Sequence, residues 1–359
     1  MPEMLLAAGI DGGATRTRAV FVTAEGAVAG YGSAGPSNYD NVGEEVAAEN
    51  IRSAVVEARR GTAVSNRPSP LNRPAIERGT LLPIPRSMFL GMAGVVSPTD
   101  REIVRRMVAA HRLAPPDAVG VDHDIRIALA GGLEGREGVV LIAGTGSSTY
   151  GRRSDGRNHR TGWGYLLDDR GSGFFLGLRA VIAAVMEADG RGPSTALSEV
   201  VKARLRFSDI DDILHIMYGG GPPVADVASM APDVIGCAVA GDPVARSILA
   251  EGSRELARMV ATVAGRLEFA GTEFPVTMTG GLVDRPGHYR SLIEQEIRSA
   301  APGAAIVPPA LPPVLGAALI ALEAAGIPPT PRMLERMRNE ARLLDTQSSG
   351  EPSPTHNTR

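Results

Sequence analysis

Two glycine-rich segments of the chain combine residue types that can bind phosphate. The first, Asp11-Gly12-Gly13-Ala14-Thr15, directly follows the apolar run of residues 4–10. Its glycines let backbone N–H groups approach a ligand, Thr15 adds a hydroxyl donor, and Asp11 can hold hydrated magnesium. A plain hairpin has the same composition, so this segment alone leaves a structural turn and a phosphate site equally open.

The second segment repeats this pattern. Gly144-Thr145-Gly146-Ser147 follows the apolar run of residues 138–143. Neither segment has the lysine of a P-loop, and both lead into strands rather than helices, which disfavours a dinucleotide fold. Two such turns in one chain predict a two-sided phosphate clamp. Gly280-Gly281, after the predicted strand 274–279, is a weaker third candidate, because a simple turn explains it as well.

Two further groups of polar residues can contribute to catalysis or substrate binding. Asp122-His123-Asp124 ends the predicted strand 118–121, where open α/β sheets place ligand-binding groups. A carboxylate there can act as a general base, or one aspartate caps the next helix. The second group, Gly162-Trp163-Gly164 with Asp168-Asp169, is either a flexible loop or a sugar-binding loop, and Asn38 lies in a turn that can face the same site.

The elements that position these residues follow from periodicity and turn residues. Asn41 and Glu44 resemble a capping box that opens a helix to Arg60, and the proline-rich residues 61–86 are interpreted as a surface loop or insertion. The strands are predicted near residues 4–10, 17–23, 27–32, 88–92, 118–121, 138–143, 149–152 and 274–279. Further helices are predicted near residues 97–111, 173–188, 194–205, 209–218, 241–268, 315–325 and 331–344. Because Thr15 and Thr145 occupy equivalent places in two hairpins, we expect a duplicated α/β domain.

Composition excludes several classes of protein. A length of 359 residues favours two domains with a cleft available between them, and 43 % hydrophobic with 21 % charged residues is ordinary for a soluble enzyme. The net charge of −3 and scattered arginines argue against nucleic acid as a partner. No apolar run approaches the roughly 20 residues of a membrane span, so we expect a cytoplasmic protein without membrane contact. The single cysteine, Cys237, excludes an internal disulfide, and we expect it to be buried.

In order and spacing these motifs resemble the BadF/BadG/BcrA/BcrD-type ATPase family, and within it the N-acetylglucosamine kinase branch. The resemblance spans about residues 5–325. The matching segments are Gly9–Thr17, Asn38, Gly91–Gly94, Asp124, Gly144–Ser147, Gly162–Gly164, Asp169 with Gly171–Gly173, Gly280-Gly281 and Pro313–Ala317. The resemblance implies an α/β fold of two actin-like (ribonuclease H-like) domains, each a mixed sheet flanked by helices, with an interdomain cleft. We place these domains at residues 1–130 and 131–311, expect helices 312–344 to pack back on the first, and expect a disordered tail from 345 to 359.

The resemblance also implies roles for individual residues in ATP-dependent phosphorylation of the 6-hydroxyl of an amino sugar, N-acetylglucosamine first. Asp124 would be the catalytic base and Asp11 would hold Mg²⁺. The residues implied to bind ATP are Asp11, Gly12, Gly13, Thr15, Gly144, Thr145, Gly146, Ser147, Gly280 and Gly281. The residues implied to bind the sugar are Asn38, Asp124, Thr145, Gly162, Trp163 and Asp169.

Three departures from the family pattern flank the sugar loop: His123 in place of the usual asparagine, Thr161 in place of a second glycine, and Asp168-Asp169-Arg170 in place of Gly-Asp-Glu. They leave glucosamine or another hexose open as the acceptor. A non-kinase ATPase switch of the actin type is a further alternative. An ATP-driven activator of a dehydratase needs cysteines for an iron–sulfur cluster, which a single cysteine cannot supply. A homodimer and a monomer both remain open.

Overall fold

The computed structural model describes residues 6–60, 81–219, 224–269 and 271–348. The chain divides into two compact units. Unit 1 is formed by residues within Met1–Arg136 and Pro309–Arg359, and unit 2 by residues within Glu137–Pro308. Residues 4 and 5 of the predicted first strand and residues 61–80 of the proline-rich segment lie outside the described residues.

The sheet of unit 1 has the strand order β3-β2-β1-β4-β5. Its strands are β1 (Leu6–Gly12), β2 (Thr17–Thr23), β3 (Val28–Ala34), β4 (Ser87–Met92) and β5 (Val119–His123). The strands β1, β2 and β3 pair antiparallel, whereas β4 and β5 continue the sheet in parallel. Nearly every residue of β1 is buried, as expected for a central strand covered on both faces.

The sheet of unit 2 repeats this arrangement, with the order β10-β9-β6-β7-β8. Its strands are β6 (Gly138–Ala143), β7 (Ser147–Arg152), β8 (Asn158–Thr161), β9 (Phe274–Thr279) and β10 (Ala304–Val307). In unit 1 the N–H of Ala93, directly after β4, donates to Gly12 O at the end of β1, at 2.8 Å. In unit 2 the N–H of Leu282, in the loop after β9, donates to Ala143 O at the end of β6, at 3.1 Å. The two units therefore share one topology, as the repeated hairpin pattern predicts.

Helices flank both sheets. In chain order they are α1 (Tyr39–Val42), α2 (Glu44–Arg59), α3 (Pro98–Ala110), α4 (Asp124–Gly132), α5 (Gly173–Ala188), α6 (Leu197–Leu205), α7 (Asp212–Tyr218), α8 (Val224–Ser229), α9 (Ala231–Ala240), α10 (Pro243–Arg266), α11 (His288–Ala300), α12 (Pro313–Ala324) and α13 (Pro331–Ser348). In unit 1 the apolar residues of α2 and α3 pack on one face of the sheet and those of α12 and α13 on the other. Unit 2 has its own hydrophobic core, formed by β6, β9 and helices α5 to α11.

The predicted capping box at Asn41 and Glu44 is wrong. Gly43 has φ +81°, in the left-handed region that favours glycine, and it separates α1 from α2. The N-cap of α1 is instead Asn38, whose side-chain oxygen accepts the N–H of Asp40 at 3.1 Å. One predicted helix is therefore two.

Several other elements differ from the predictions. The strands β8 and β10 and the helices α8, α9 and α11 were not expected, although the buried residues Tyr289, Ile293 and Ile297 of α11 recur at helical spacing. Cys237, on α9, is only half-buried. The disordered tail predicted from residue 345 is wrong for 345–348, because α13 continues to Ser348, and residues 349–359 lie outside the described part.

Within the described residues, no single helix has both the length and the apolar character of a membrane span. Only the bent pair formed by 224–240 and 243–266 reaches these limits when taken together. Many residues of both segments are buried in the hydrophobic core of unit 2.

Helix α12 lies unusually close to α4 and β1 because glycines remove side chains at the contacts. A methyl group on Gly316 would overlap the carbonyl oxygen of Ile127 and the nitrogen of Gly131, and would lie 2.8 Å from Gly131 Cα. A methyl group on Gly9 would similarly overlap the nitrogen of Ala318. Because the neighbouring atoms are backbone, they can move aside only if a helix or strand shifts. The position of α4 in unit 1 therefore depends on Gly316.

We predict that Gly316→Ala lowers the stability of the protein by about 1–3 kcal/mol, the usual cost of an overpacked contact. Gly236→Ala, in the interior of α9, is the matched control, because nothing lies within 4 Å of a methyl group there. The control should be neutral or stabilising by about 0.5–1 kcal/mol, since alanine is the better helix former. Thermal unfolding followed by circular dichroism measures the stability of both variants. Equal stability of Gly316→Ala and wild type would contradict the close α12–α4 contact.

Candidate active site

The first glycine turn joins β1 to β2 in unit 1. Asp11 is paired in register with Arg18, whose Nη1 lies 3.2 Å from Asp11 Oδ2. A methyl group on Gly12 would overlap Met92 Sδ and lie 2.6 Å from Ser37 Oγ. A side chain at position 12 would therefore require the side chains of Met92 and Ser37 to move, a packing constraint that the sequence does not reveal.

Internal hydrogen bonds fix the shape of this turn. The N–H of Gly13 donates to Arg16 O at 2.9 Å, and the N–H of Ser37 donates to Gly13 O at 3.1 Å. Thr15 remains exposed at the tip. Asn38 follows Ser37 directly, and since its side-chain oxygen caps α1, its amide nitrogen is the group left to bind a ligand.

Asp124 is the first residue of α4, where the chain leaves β5. The cap of this helix is His123, whose Nδ1 accepts the N–H of Arg126 at 3.2 Å. The alternative in which an aspartate caps the helix is therefore wrong. With Nδ1 as the acceptor, the neutral imidazole carries its proton on Nε2. The carboxylate of Asp124 lies in the first turn of α4, where the helix dipole favours negative charge.

Asp11 and Asp124 lie close enough to influence each other's ionisation. Burial raises the pKa of Asp124 to about 6, and the negative charge of Asp11 adds to this shift. Burial likewise raises the pKa of Asp11, while the charge and hydrogen bond of Arg18 oppose the rise. Unit 1 thus contains two partly buried carboxylates whose pKa values are both raised, and Asp124, with a pKa of about 6, can exchange a proton near neutral pH.

Asp122, the alternative candidate for the base, is engaged by two arginines. Arg101 Nη2 lies 2.8 Å from Asp122 Oδ1 and Arg126 Nη1 lies 2.7 Å from Asp122 Oδ2. Burial would raise the pKa of Asp122, but these two hydrogen bonds outweigh it and hold the pKa below its usual value. Asp122 therefore stays ionised, and the two arginines hold its side chain in place. Sequence reasoning missed both arginines, although the i,i+4 spacing of Asp122 and Arg126 is a recognisable signal.

The second glycine turn joins β6 to β7 in unit 2 and rests against the start of α5. The N–H of Gly144 donates to Gly146 O at 2.9 Å, which closes the turn. The N–H groups of Gly173 and Phe174 donate to Gly144 O and Thr145 O at 2.7 and 3.0 Å. Thr145 is exposed, as Thr15 is in the first turn, whereas Ser147 is buried and donates its hydroxyl to Arg170 O at 3.0 Å.

Gly280 and Gly281 lie beside this second turn. Gly280 has φ +114°, and a methyl group on it would overlap Ala143 O. The N–H of Gly280 donates to Asp284 Oδ1 at 2.8 Å, so that amide is already used within unit 2. The nitrogen of Gly281 lies 3.8 Å from the position of a methyl group on Gly144. Asp284 is a further structural residue that the sequence did not indicate.

The loop that follows β8 is anchored at two points. Gly162 has φ +99°, and a methyl group on it would lie 2.7 Å from Ser147 O. The carboxylate of Asp169 accepts the N–H groups of Ser147 and Gly164. Burial raises the pKa of Asp169, and these two N–H groups oppose the rise. Trp163, between the two anchored glycines, is 63 % exposed. The loop predicted to bind sugar is thus tied to the second glycine turn.

The structure therefore collects the predicted residues into two sets. In unit 1 the set is Asp11, Gly12, Gly13, Thr15, Asn38 and Asp124. In unit 2 the set is Gly144, Thr145, Gly146, Ser147, Gly162, Trp163, Asp169, Gly280 and Gly281. The first set contains the carboxylates of Asp11 and Asp124, and the second contains the carboxylate of Asp169 and the exposed ring of Trp163.

Curated relatives cover most of the chain. An N-acetylmuramic acid/N-acetylglucosamine kinase from Clostridium acetobutylicum is 30 % identical over 277 residues, which are 77 % of this chain and 85 % of the relative. An N-acetyl-D-glucosamine kinase from Dictyostelium discoideum is 30 % identical over 320 residues, which are 88 % of this chain and 97 % of the relative.

The fold is confirmed by similarity to solved structures. A proposed N-acetylglucosamine kinase from Chromobacterium violaceum superposes with a TM-score of 0.64 at 23 % identity, over 89 % of this chain and 100 % of that one. Together with the two mixed sheets, this confirms the prediction of two actin-like units flanked by helices. The family model described as BadF/BadG/BcrA/BcrD ATPase family matches residues 8–321. The chain therefore belongs to the BadF/BadG/BcrA/BcrD ATPase family.

Proposed function

We propose that the chain is an ATP-dependent kinase that phosphorylates the 6-hydroxyl of an amino sugar, with N-acetylglucosamine as the first candidate. The single observation that carries this proposal is the partly buried pair Asp11 and Asp124, in which Asp124 has a pKa of about 6. A carboxylate with that pKa can take a proton from a hydroxyl near neutral pH. The two curated relatives, both named as amino-sugar kinases, support the same reaction.

In this mechanism Asp124 accepts the proton of the acceptor hydroxyl. Its position at the start of α4 is set by the His123 cap and by the ion pairs of Asp122 with Arg101 and Arg126. These contacts fix the backbone from which the side chain of Asp124 extends. Because phosphoryl transfer is mainly a positioning and charge-neutralising problem, one base held in this way is sufficient on the side of the acceptor.

The residues around Asp11 fit a magnesium ion. Oxygen ligands suit Mg²⁺, the pKa values of the partly buried Asp11 and Asp124 carboxylates are raised, and Arg18 compensates only part of this rise at Asp11. We propose that Asp11 holds Mg²⁺, directly or through its water shell. When bound, Mg-ATP supplies the phosphoryl group, and the metal offsets the negative charge of the phosphates.

We further propose that the two glycine turns bind the phosphates of ATP. The exposed hydroxyl groups of Thr15 and Thr145 are suitable donors. Gly12 and Gly13 shape the first turn, and Gly144, Gly146 and Ser147 shape the second. The N–H of Gly280 already donates to Asp284, so it is not available to the nucleotide. Gly280 and Gly281 would contribute to nucleotide binding mainly because the absence of their side chains leaves space beside the second turn.

The acceptor would be bound by Asn38, Thr145, Gly162, Trp163 and Asp169. The amide nitrogen of Asn38 can donate to a sugar oxygen, since its oxygen already caps α1. Asp169 also receives two backbone N–H groups, so it would both bind the sugar and hold the loop. The hydroxyl of Thr161 is buried and, in the described part of the chain, without a hydrogen-bond partner. A cytoplasmic location and a homodimer remain predictions.

The reaction is tested with a panel of acceptors and Mg-ATP. We expect ADP release and sugar phosphate with N-acetylglucosamine, with glucosamine, glucose and N-acetylmuramic acid as comparison acceptors. Coupled ADP detection and mass spectrometry of the product measure turnover and its acceptor. ATP hydrolysis that no sugar stimulates would instead favour an ATPase switch, and would contradict the kinase.

A second test separates the two aspartates that flank His123. We expect Asp124→Asn to lower kcat by about 10²–10⁴, the usual contribution of a positioned base, while ATP still binds. We expect Asp122→Asn to have a much smaller effect on kcat, since an amide oxygen can still accept from Arg101 or Arg126. Steady-state kinetics measure kcat, and nucleotide titration measures ATP binding, for both variants. If Asp122→Asn were the inactive variant and Asp124→Asn active, the base assignment would be wrong.

The raised pKa of Asp124 also has a consequence for stability. Its folded pKa of about 6 exceeds the ordinary 3.8, so its ionised form is disfavoured by the fold, and stability is lost as the pH rises from 3.8 to about 6. The amide of the Asp124→Asn variant does not titrate. We therefore expect this variant to be more stable than wild type by about 3 kcal/mol at about pH 8, and by about half of that at about pH 5. Thermal unfolding at both pH values measures the difference, and a difference that does not change with pH would contradict the buried, proton-exchanging carboxylate.

A further inference from the structure

Arg160, on β8, contacts the loop that carries Trp163 but has no role in the function proposed above. Its guanidinium carbon lies 4.7 Å from the centre of the Trp163 ring. Its Nη1 donates to Gly162 O at 3.3 Å. One arginine therefore contacts two consecutive residues of the loop, the backbone of the first and the ring of the second.

The backbone on either side of Trp163 is already fixed, whereas its ring is not. Gly162 is buried against Ser147 and Ser148, and Gly164 is held by Asp169. The indole ring, 63 % exposed, is left without a tightly packed environment. The cation–π contact with Arg160 is thus a specific constraint on the direction of the ring.

Two arginines in the turn of the same hairpin have carboxylate partners. Arg157 pairs with Asp155 and Glu268, and Arg153 pairs with Glu137. In the part of the chain that the structure describes, Arg160 has no carboxylate partner, and its contacts are the ring and the carbonyl of the loop. An arginine that stabilised the hairpin through charge would be expected to pair as its neighbours do.

We infer that Arg160 is a positioning residue for the acceptor: its guanidinium holds Gly162 and the Trp163 ring in the orientation in which the loop receives a sugar. Arg160 covers part of one face of the indole, and the exposed remainder of the ring is available to the apolar C–H face of a pyranose. Arg160 acts through Trp163 and does not touch the reacting atoms. The role in acceptor binding rests on the proposed kinase function.

Arg160→Met tests this inference, because methionine retains much of the apolar stem and loses the charge and the N–H donors. We expect the KM for the acceptor to rise roughly tenfold, the combined effect of an exposed cation–π contact and one hydrogen bond to a charged group. The KM for ATP and kcat should change by less than roughly twofold, since the site of transfer is untouched. Arg160→Lys keeps the cation and should restore part of the acceptor affinity.

A second readout is independent of activity. Trp163 is the single tryptophan of the chain, so its fluorescence reports on this ring alone. We expect Arg160→Met to lower the fluorescence anisotropy of the free protein and to increase quenching by acrylamide, because the ring becomes freer. Arg157→Gln, on the same hairpin but paired with Asp155 and Glu268, is the matched control and should leave both the fluorescence and the acceptor KM unchanged.

The possible failures are distinguishable. If the wild-type protein phosphorylates a sugar and Arg160→Met has the wild-type acceptor KM and fluorescence, the inference about Arg160 is wrong and the proposed function stands. A loss confined to kcat would also overturn it, since Arg160 would then act on transfer rather than on acceptor binding. If wild type phosphorylates no acceptor, the proposed function and the acceptor role of Arg160 both fail.

Discussion

The partial burial of two neighbouring carboxylates, Asp11 and Asp124, is the constraint around which unit 1 is arranged. Desolvation raises the pKa of both, the charge of Asp11 adds to the rise at Asp124, and Arg18 compensates Asp11 only in part. The arrangement is unfavourable by itself, as the raised pKa of Asp124 indicates. It persists because β1 and α4 are fixed by packing, above all where α12 meets α4 through glycine. The stability of the fold thus maintains a strained pair of charges that the chemistry requires.

The two units use one topology for different chemistry. In both, a central strand ends at a glycine-rich turn, and the loop after the first parallel strand returns a hydrogen bond to that strand. Asp11 is the penultimate residue of β1, whereas the apolar Ile142 is the penultimate residue of β6. The carboxylate of Asp11 therefore has no counterpart at the equivalent position of unit 2. Unit 2 keeps the exposed threonine of the turn and adds the loop of Trp163, so a duplicated fold supports two distinct sets of ligand-binding groups.

Much of the fold and of the candidate site could be predicted from the sequence, because the patterns that indicate them lie within short segments of the chain. Apolar runs followed by glycine turns located β1, β6 and β9, and the residues of the glycine turns were identified by type. Long-range packing could not be predicted: the space at Gly12 is limited by the side chains of Met92 and Ser37, which are distant in sequence. The distinction between Asp122 and Asp124 also needed the structure, because Arg101 reaches Asp122 from another helix. Gly43, which divides α1 from α2, was misinterpreted since its left-handed conformation is not visible in the sequence pattern.

The departures from the family pattern have unequal physical consequences. His123 stands where the family often has asparagine, yet Nδ1 of His123 supplies the hydrogen-bond acceptor that an asparagine would supply at a helix N-cap. The position of Asp124 is therefore compatible with either residue. Thr161 replaces a glycine at the end of β8, opposite Thr149, and brings a branched side chain with a buried hydroxyl to the start of the Trp163 loop. A side chain at that point changes the space and the hydrogen bonds beside the loop. Under the proposed function, the departure at Thr161 would therefore change the surroundings of the acceptor, whereas the departure at His123 leaves Asp124 in place.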